Sequence, residues 1–145
     1  MTKRIEKTPY HSHKIGLLPK GCKMCVKGRK LVLFITGLCN RKCFYCPISD
    51  EKKDKDVVYA NEWKTDYCGG ELAKEDINVI LEEARLCGAE GAGITGGDPL
   101  LVLDRTVTAI KALKKEFGRK FHIHLYTSLR NIDREKLKKL YQYCK

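Results

Sequence analysis

Three thiols stand within eight residues at Cys39-Asn40-Arg41-Lys42-Cys43-Phe44-Tyr45-Cys46. One loop can turn all three toward a common centre. Thiolates are soft ligands that favour iron–sulfur clusters, zinc or copper(I) over hard cations. A closed structural zinc site takes four protein ligands, usually as two separated pairs. Here a third thiolate is close and a fourth is not. A cubane cluster held by three cysteines leaves one iron open to a substrate or cofactor. The spacing therefore points to chemistry rather than to a structural staple.

The elements around this loop follow from hydrophobic pattern. Residues 31–36 (Leu-Val-Leu-Phe-Ile-Thr) are a continuous apolar run ending at Gly37, the pattern of a strand buried on both faces of a parallel sheet. The thiols then lie at the strand's C-terminal end, where α/β sheets build their active sites. Residues 50–56 read as an exposed charged loop, and 57–60 as a short strand or a cover for the site. From Lys74, helical spacing joins Ile77, Ile80, Leu81, Ala84 and Cys87, with Glu75 and Asp76 in the first turn and Gly88 closing the helix. Residues 90–95 form a second strand leading into Gly96-Gly97-Asp98-Pro99. Asp104 caps a helix whose apolar face is Val107, Ile110, Leu113 and Phe117, closed by Gly118. Residues 121–126 form a third strand, and Asp133 caps a helix burying Leu137, Leu140, Tyr141 and Cys144. The order β-α-β-α-β-α predicts an α/β fold with a parallel sheet.

The pattern C-x3-C-x2-C, with an aromatic residue directly before the last cysteine, resembles the signature of the radical S-adenosylmethionine (radical SAM) superfamily. More loosely, the stretch resembles relatives of the pyruvate formate-lyase activating enzyme. Cys39, Cys43, Tyr45 and Cys46 match position by position, and the resemblance runs from about residue 31 to 128. It implies that Cys39, Cys43 and Cys46 hold three irons of a [4Fe–4S] cluster while the amino and carboxylate groups of SAM bind the fourth. Reductive cleavage of SAM would then give a 5′-deoxyadenosyl radical that abstracts hydrogen from a substrate. Tyr45 would lie near the adenine. In this family a Gly-Gly-Glu-like segment after the second strand binds the methionine amino group. Gly96, Gly97, Asp98 and Pro99 resemble it, with Asp for the usual Glu; glycines there let backbone approach a ligand. Thr127 and Ser128 resemble in part a Thr-Asn segment that contacts SAM. The fold implied is a (βα)3 half, residues 31–145, of a partial TIM-like barrel, preceded by a basic N-terminal extension over residues 1–30. The implied partners are a flavodoxin- or ferredoxin-like reductant and a C-terminal half or partner subunit completing the barrel.

Alternation on the third strand places Phe121, Ile123 and Leu125 on one face and His122, His124 and Tyr126 on the other. With the apolar face against helices, the histidines and tyrosine point inward as candidates for substrate contact or proton transfer. The plainer alternative is a pair of interior histidines that hold the strand by hydrogen bonds.

Outside these motifs, Cys22 and Cys25 form a C-x2-C pair that reads as a knuckle, with Cys68 as a candidate third ligand for zinc or an auxiliary cluster. The alternative is a reduced pair in a turn. His11 and His13 are close enough in sequence to reach one metal, or are simply solvated in an extended basic arm over residues 1–20. Cys87 and Cys144 read as small core residues. The net charge of +11 is uneven: residues 1–30 carry nine Lys/Arg against Glu6 alone, and residues 114–145 carry ten against three acids. Such ends suit RNA or another polyanion, or a merely solvated surface. A non-catalytic zinc- or cluster-binding module contacting RNA is thus the alternative function, with an inactive or truncated partner subunit as another. No apolar stretch approaches the ~20 residues of a membrane span, and no leader pattern opens the chain, so a cytoplasmic location is expected. Eight cysteines in that compartment argue for metal and thiol chemistry over disulfides.

Overall fold

Residues 4–143 are described by a computed structural model. The extended arm expected over residues 1–20 is instead a hairpin in its described part. β1 (Ile5–Lys7) and β2 (His13–Ile15) pair antiparallel. Thr8 and Ser12 close the turn through a backbone bond of 2.8 Å and a hydroxyl contact of 2.6 Å, and Lys14 Nζ reaches Glu6 at 2.6 Å. The hairpin buries little apolar surface, so hydrophobic pattern does not announce it. His11 lies in the turn at φ 55° and His13 opens β2, both exposed.

The predicted Cys22/Cys25 knuckle is a helix, α1 (Lys20–Cys25). Pro19 precedes it at φ −55°, and the bonds Lys23 N to Pro19 O and Val26 N to Cys22 O, both 3.0 Å, commit the backbone to helical pairing. A metal knuckle would instead turn those N–H groups toward the thiolates. Cys22 is half-buried and Cys25 exposed.

A five-stranded sheet follows, built from β3 (Lys30–Phe34), β4 (Tyr59–Ala60), β5 (Trp63–Lys64), β6 (Gly91–Thr95) and β7 (His122–Leu125) in the order β5-β4-β3-β6-β7. β3, β6 and β7 are parallel, in register through Lys30, Gly91 and His122. The crossovers are α2 (Lys74–Leu86) and α3 (Leu103–Phe117). The sheet is mixed rather than purely parallel, because the second half of the 57–60 segment, Tyr59–Ala60, forms a strand and it runs antiparallel against β3. Asn61, at φ 52°, turns that strand into β5 and also locks the β3 edge, accepting from Val32 N at 3.0 Å through its side chain.

The two faces of the sheet differ in chemistry. Leu31, Leu33, Ile35, Ala92 and Ile94 are fully buried against Ile80 and Ala84 of α2 and Ile110 and Leu113 of α3. Each fully buried aliphatic side chain stabilises by roughly 1.5–3 kcal/mol. The opposite face carries Lys30, Val32 and Phe34 of β3, Gly91 and Gly93 of β6, and the row His122, His124 and Tyr126. Val32 is 45% exposed there, so β3 is not buried on both faces along its whole length. α1 lies across this second face, with Met24 buried. Gly21 permits the approach, since a Cβ at that position would stand 2.3 Å from His124 Nδ1.

The last helix, α4 (Arg134–Tyr141), is capped by Asp133 as expected, its side chain accepting from Lys136 N at 2.8 Å. The buried side expected for it is open instead: Leu137 and Tyr141 are exposed, and Leu140 and Tyr143 only partly buried. Cys144 lies outside the described residues. Cys87, at the end of α2, is half-buried. No described helix is long and apolar enough to cross a membrane.

Candidate functional site

The thiol loop begins where β3 ends, and that strand end is pinned by an ion pair whose arginine is buried and whose aspartate is partly exposed. Arg105 of α3 is 5% exposed and donates to Ile35 O at 3.0 Å, to Asp56 Oδ1 at 2.7 Å and to Asp56 Oδ2 at 2.8 Å. Thr36 and Tyr67 also donate to the Asp56 carboxylate, at 2.9 and 3.0 Å. The Arg105 guanidinium, with Thr36 and Tyr67, holds the Asp56 carboxyl at about 2 against the opposing effect of burial; burial and the bond to Asp56 push the Tyr67 phenol up to about 12. The charged run 50–56 is therefore not a purely solvated loop. Its backbone also packs on Gly37, where a Cβ would meet Lys52 O at 1.8 Å. Asp56, Tyr67 and Arg105 carried no sequence signal, because an isolated arginine on a helix and an acid inside a charged run look like surface.

Cys39, Cys43 and Cys46 are free and half-buried in this loop. Cys46 N donates to Cys43 O at 3.2 Å, a turn that returns the chain toward the earlier thiols. Cys39 and Cys43 line a cavity of about 390 Å³ with Arg41, Lys42 and Lys53; Cys46 stands outside that lining. Tyr45 is 71% exposed and meets Phe44 edge-on at 5.0 Å.

The second motif abuts this loop. Gly97 N donates to Thr36 O at 2.8 Å and Asp98 N to Leu38 O at 2.9 Å. Side chains would not fit: a Cβ at Gly96 would stand 2.2 Å from Thr36 O, and one at Gly97 2.0 Å from Leu38 O. Gly96 also sits at φ 141°. The close approach made possible by these glycines is thus made to the cysteine loop itself. Among the described residues no donor reaches the Gly96 or Gly97 carbonyl.

Asp98 is fully buried. Its carboxylate accepts from Thr127 Oγ1 at 2.8 Å, Ser128 Oγ at 2.7 Å, Leu100 N at 3.0 Å and Asn131 Nδ2 at 3.2 Å. Burial alone would raise its pKa, but bonds from Ser128, Thr127, Leu100 N and Asn131 outweigh it and hold the carboxyl below its ordinary value. Asp98, Thr127 and Ser128, each a candidate SAM contact by sequence, are brought together and bonded to one another. Pro99, also fully buried, presents its carbonyl to Thr106 Oγ1 at 2.9 Å. Asn131 continues the network into the thiol loop, exchanging bonds of 2.8 and 3.3 Å with Asn40. One hydrogen-bonded chain thereby ties the loops after β3, β6 and β7.

The histidine row lies on the α1 face. His122 and His124 rings are 6.0 Å apart, and His124 stacks on Tyr126 at 4.7 Å. Burial, then the charges of Lys20, His124, Lys30 and Lys114, hold the His122 pKa below its ordinary value. Cys68 is exposed beyond β5. Among the described residues no three His, Cys, Asp or Glu side chains converge as a cage for one metal ion. Cys22, Cys25 and Cys68 form no such single-ion cage, and His11 and His13 are both exposed. A cubane asks for less, at Cys39, Cys43 and Cys46 as at an auxiliary cluster on Cys22 and Cys25: each cysteine binds its own iron, so the sulfurs need not converge on one point.

Residues 33–144 match the family model of the radical SAM superfamily. Over 136 residues the chain is 52% identical to a Methanocaldococcus jannaschii protein provisionally named a glycyl-radical enzyme activating enzyme, covering 94% of this chain and 33% of that one. Over 85 residues it is 31% identical to a provisionally named GTP 3′,8-cyclase of Saccharolobus solfataricus and 29% identical to one of Saccharolobus islandicus, covering 59% of this chain and 23% of each. The chain thus spans a third or less of the length of these curated relatives. No solved structure matches it significantly. With the family matched over most of its length, and with the thiol loop and glycine segment bonded to each other at the strand ends, the chain belongs to the radical SAM superfamily.

Proposed function

We propose that this chain is the cluster- and SAM-binding part of a radical SAM enzyme. Cys39, Cys43 and Cys46 would be the three protein ligands of a [4Fe–4S] cluster, and the Gly96 and Gly97 carbonyls would receive the SAM amino group. The observation that carries this reading is the pair of bonds from Gly97 N and Asp98 N to Thr36 O and Leu38 O. They set the glycine backbone beside the cysteine loop with the Gly97 and Asp98 donors occupied. An ammonium group needs acceptors, and the Gly96 and Gly97 carbonyls are free to accept.

The donor set fits the cluster. The thiols are unpaired, and a thiolate-ligated cluster is anionic, which Arg41, Lys42 and Lys53 around the cavity, outnumbering Asp54 in the same lining, would offset. When bound, the cluster and SAM supply one-electron cleavage of SAM and, through it, hydrogen abstraction from a substrate. The chain's own residues bind and orient. Tyr45 would stack on the adenine from its exposed position. Asp98 would act at one remove, fixing Thr127 and Ser128 through the bonds it accepts. Asn40 and Asn131 would hold the thiol loop in register with both. A flavodoxin- or ferredoxin-like reductant would supply the electron, and further strands would pair with β7, an edge of the sheet, to complete a partial barrel. Activation of a glycyl-radical enzyme, the role in the name of the 52% identical relative, is the reaction to test first.

Iron and sulfide analysis after anaerobic reconstitution tests the ligand assignment. Replacing Cys39, Cys43 or Cys46 singly by serine should abolish the cubane absorbance, while C22S, C25S and C68S should leave it intact. Retention of the full cluster in C39S, C43S and C46S would reject the assignment.

A further inference from the structure

Lys30 is a charged residue that neither the fold nor the site described so far explains. It opens β3 on the α1 face and is only 9% exposed. Its side chain runs over Gly93, where a Cβ would stand 2.5 Å from Lys30 Cε and 2.9 Å from Nζ. Nζ then donates to Tyr126 Oη at 2.7 Å and sits 4.9 Å from that ring's centre. A lysine ammonium has three N–H donors. The tyrosine hydroxyl takes one, and among the described residues no carboxylate pairs with Lys30. Burying an ammonium without an anion is costly, so a purely structural position would carry an apolar residue or a matched acid. Gly93 clears the route that carries this charge from the start of β3 along the sheet face to the Tyr126 hydroxyl.

The surroundings are cationic as well. His124 stacks on Tyr126, His122 stands 6.0 Å from His124, and the charged groups acting most on His122 are Lys20, His124, Lys30 and Lys114. The place is accessible: Tyr126 is 46% exposed and Val32, beside Gly93, 45%. Tyr126 is adjacent to Thr127, within the loop network that Asp98 holds.

We propose that Lys30, Tyr126, His124 and His122 form a seat for an oxyanion, a carboxylate or phosphate group, on the sheet face opposite α2 and α3. Lys30 supplies the charge and two donors, Tyr126 orients it, and the imidazoles add donors at the rim. That the anion belongs to the substrate rests on the radical SAM reading above; the seat itself rests on the geometry of these four side chains.

The test uses the reconstituted chain with its cluster oxidised. The ring resonances of His122 and His124 are followed by NMR while sodium acetate and, separately, inorganic phosphate are added. A saturable shift, with His122 titrating at higher pH when the anion is bound, is expected from at least one of the two, and the one that acts identifies the group. K30Q should weaken that binding by about tenfold or more, the loss of a charge-assisted contact. G93A, which displaces Lys30 without removing it, should weaken it similarly in a chain with an unchanged backbone spectrum, so the idea remains testable should K30Q fail to fold. No saturable shift with either anion, or wild-type affinity in both variants, overturns the seat. Iron content and SAM binding are measured on the same samples. Anion binding in a chain that takes up no cluster would support the seat while rejecting the radical SAM reading, and a SAM-responsive cluster without anion binding would do the reverse.

Discussion

Asp98 stands where the family pattern has glutamate, and the structure gives the shorter acid a defined task. Four donors converge on a carboxylate with no exposed surface. Asp98→Ala should leave hydroxyls and an amide without their acceptor, lowering stability by roughly 2–3 kcal/mol and weakening SAM binding about tenfold while the cluster absorbance persists. Asp98→Glu should not rescue SAM binding, because the extra methylene overfills a closed clasp. Isothermal titration with SAM on reconstituted variants checks both; wild-type affinity in Asp98→Ala would refute the positioning role. At this scale the sequence was informative where chemistry is dense, at the three thiols and the glycine pair. It was silent on Asn40, Asn131 and Lys30, because an amide or a lysine declares its partner only once the fold brings residues 91 or 96 positions apart into contact.

The elements were legible in proportion to the apolar surface they bury. α2, α3 and the three parallel strands followed from periodicity. The β1–β2 hairpin, α1 and the β4–β5 turn are short and held largely by polar contacts, so they escaped it. The same blindness hid the anchor of β3. Asp56 lies in a charged run, yet it neutralises the buried Arg105 that grips Ile35 O. Asp56→Asn should destabilise the chain by roughly 3 kcal/mol by leaving that guanidinium unmatched, read by urea denaturation; a loss below ~0.5 kcal/mol, the range of an ordinary surface change, would show the pair to be ornamental. Its pH dependence has a definite sign. The folded carboxyl sits at about 2, below its ordinary 3.8, so its contribution is complete above about pH 4 and is lost as pH falls through 2. Acid unfolding should accordingly lose that segment of its pH dependence in Asp56→Asn.

Across the whole molecule, α2 and α3 cover one face of the sheet, α1 lies across part of the other, and the β7 side is open. β7 is an edge strand, and a groove of about 670 Å³ runs beside it, lined by Leu100, Ile110, Phe121, Leu125, Leu137 and Leu140. An apolar groove beside an unpaired edge invites pairing with another chain. The isolated chain should therefore self-associate as its concentration rises, and Leu137→Lys, on the exposed side of α4, should reduce that association in sedimentation velocity runs. A chain that stays monomeric throughout would show the edge to be adequately protected as it stands. The parallel α/β order was readable from the sequence, and residues 57–60 were open to a strand, but its antiparallel pairing, β5 and the exposed side of α4 were not. Those depend on which neighbours each element finds.

Mössbauer spectroscopy of the ⁵⁷Fe-reconstituted chain, with and without SAM, shows whether three cysteines leave one iron of a cubane for SAM, and it needs neither the substrate nor a completed barrel. A [4Fe–4S] spectrum is expected in which one iron site changes when SAM is added, and in which G97A, crowding the glycine segment against Leu38, suppresses that change. A chain that assembles no cubane, or one whose four irons ignore SAM, would refute that arrangement.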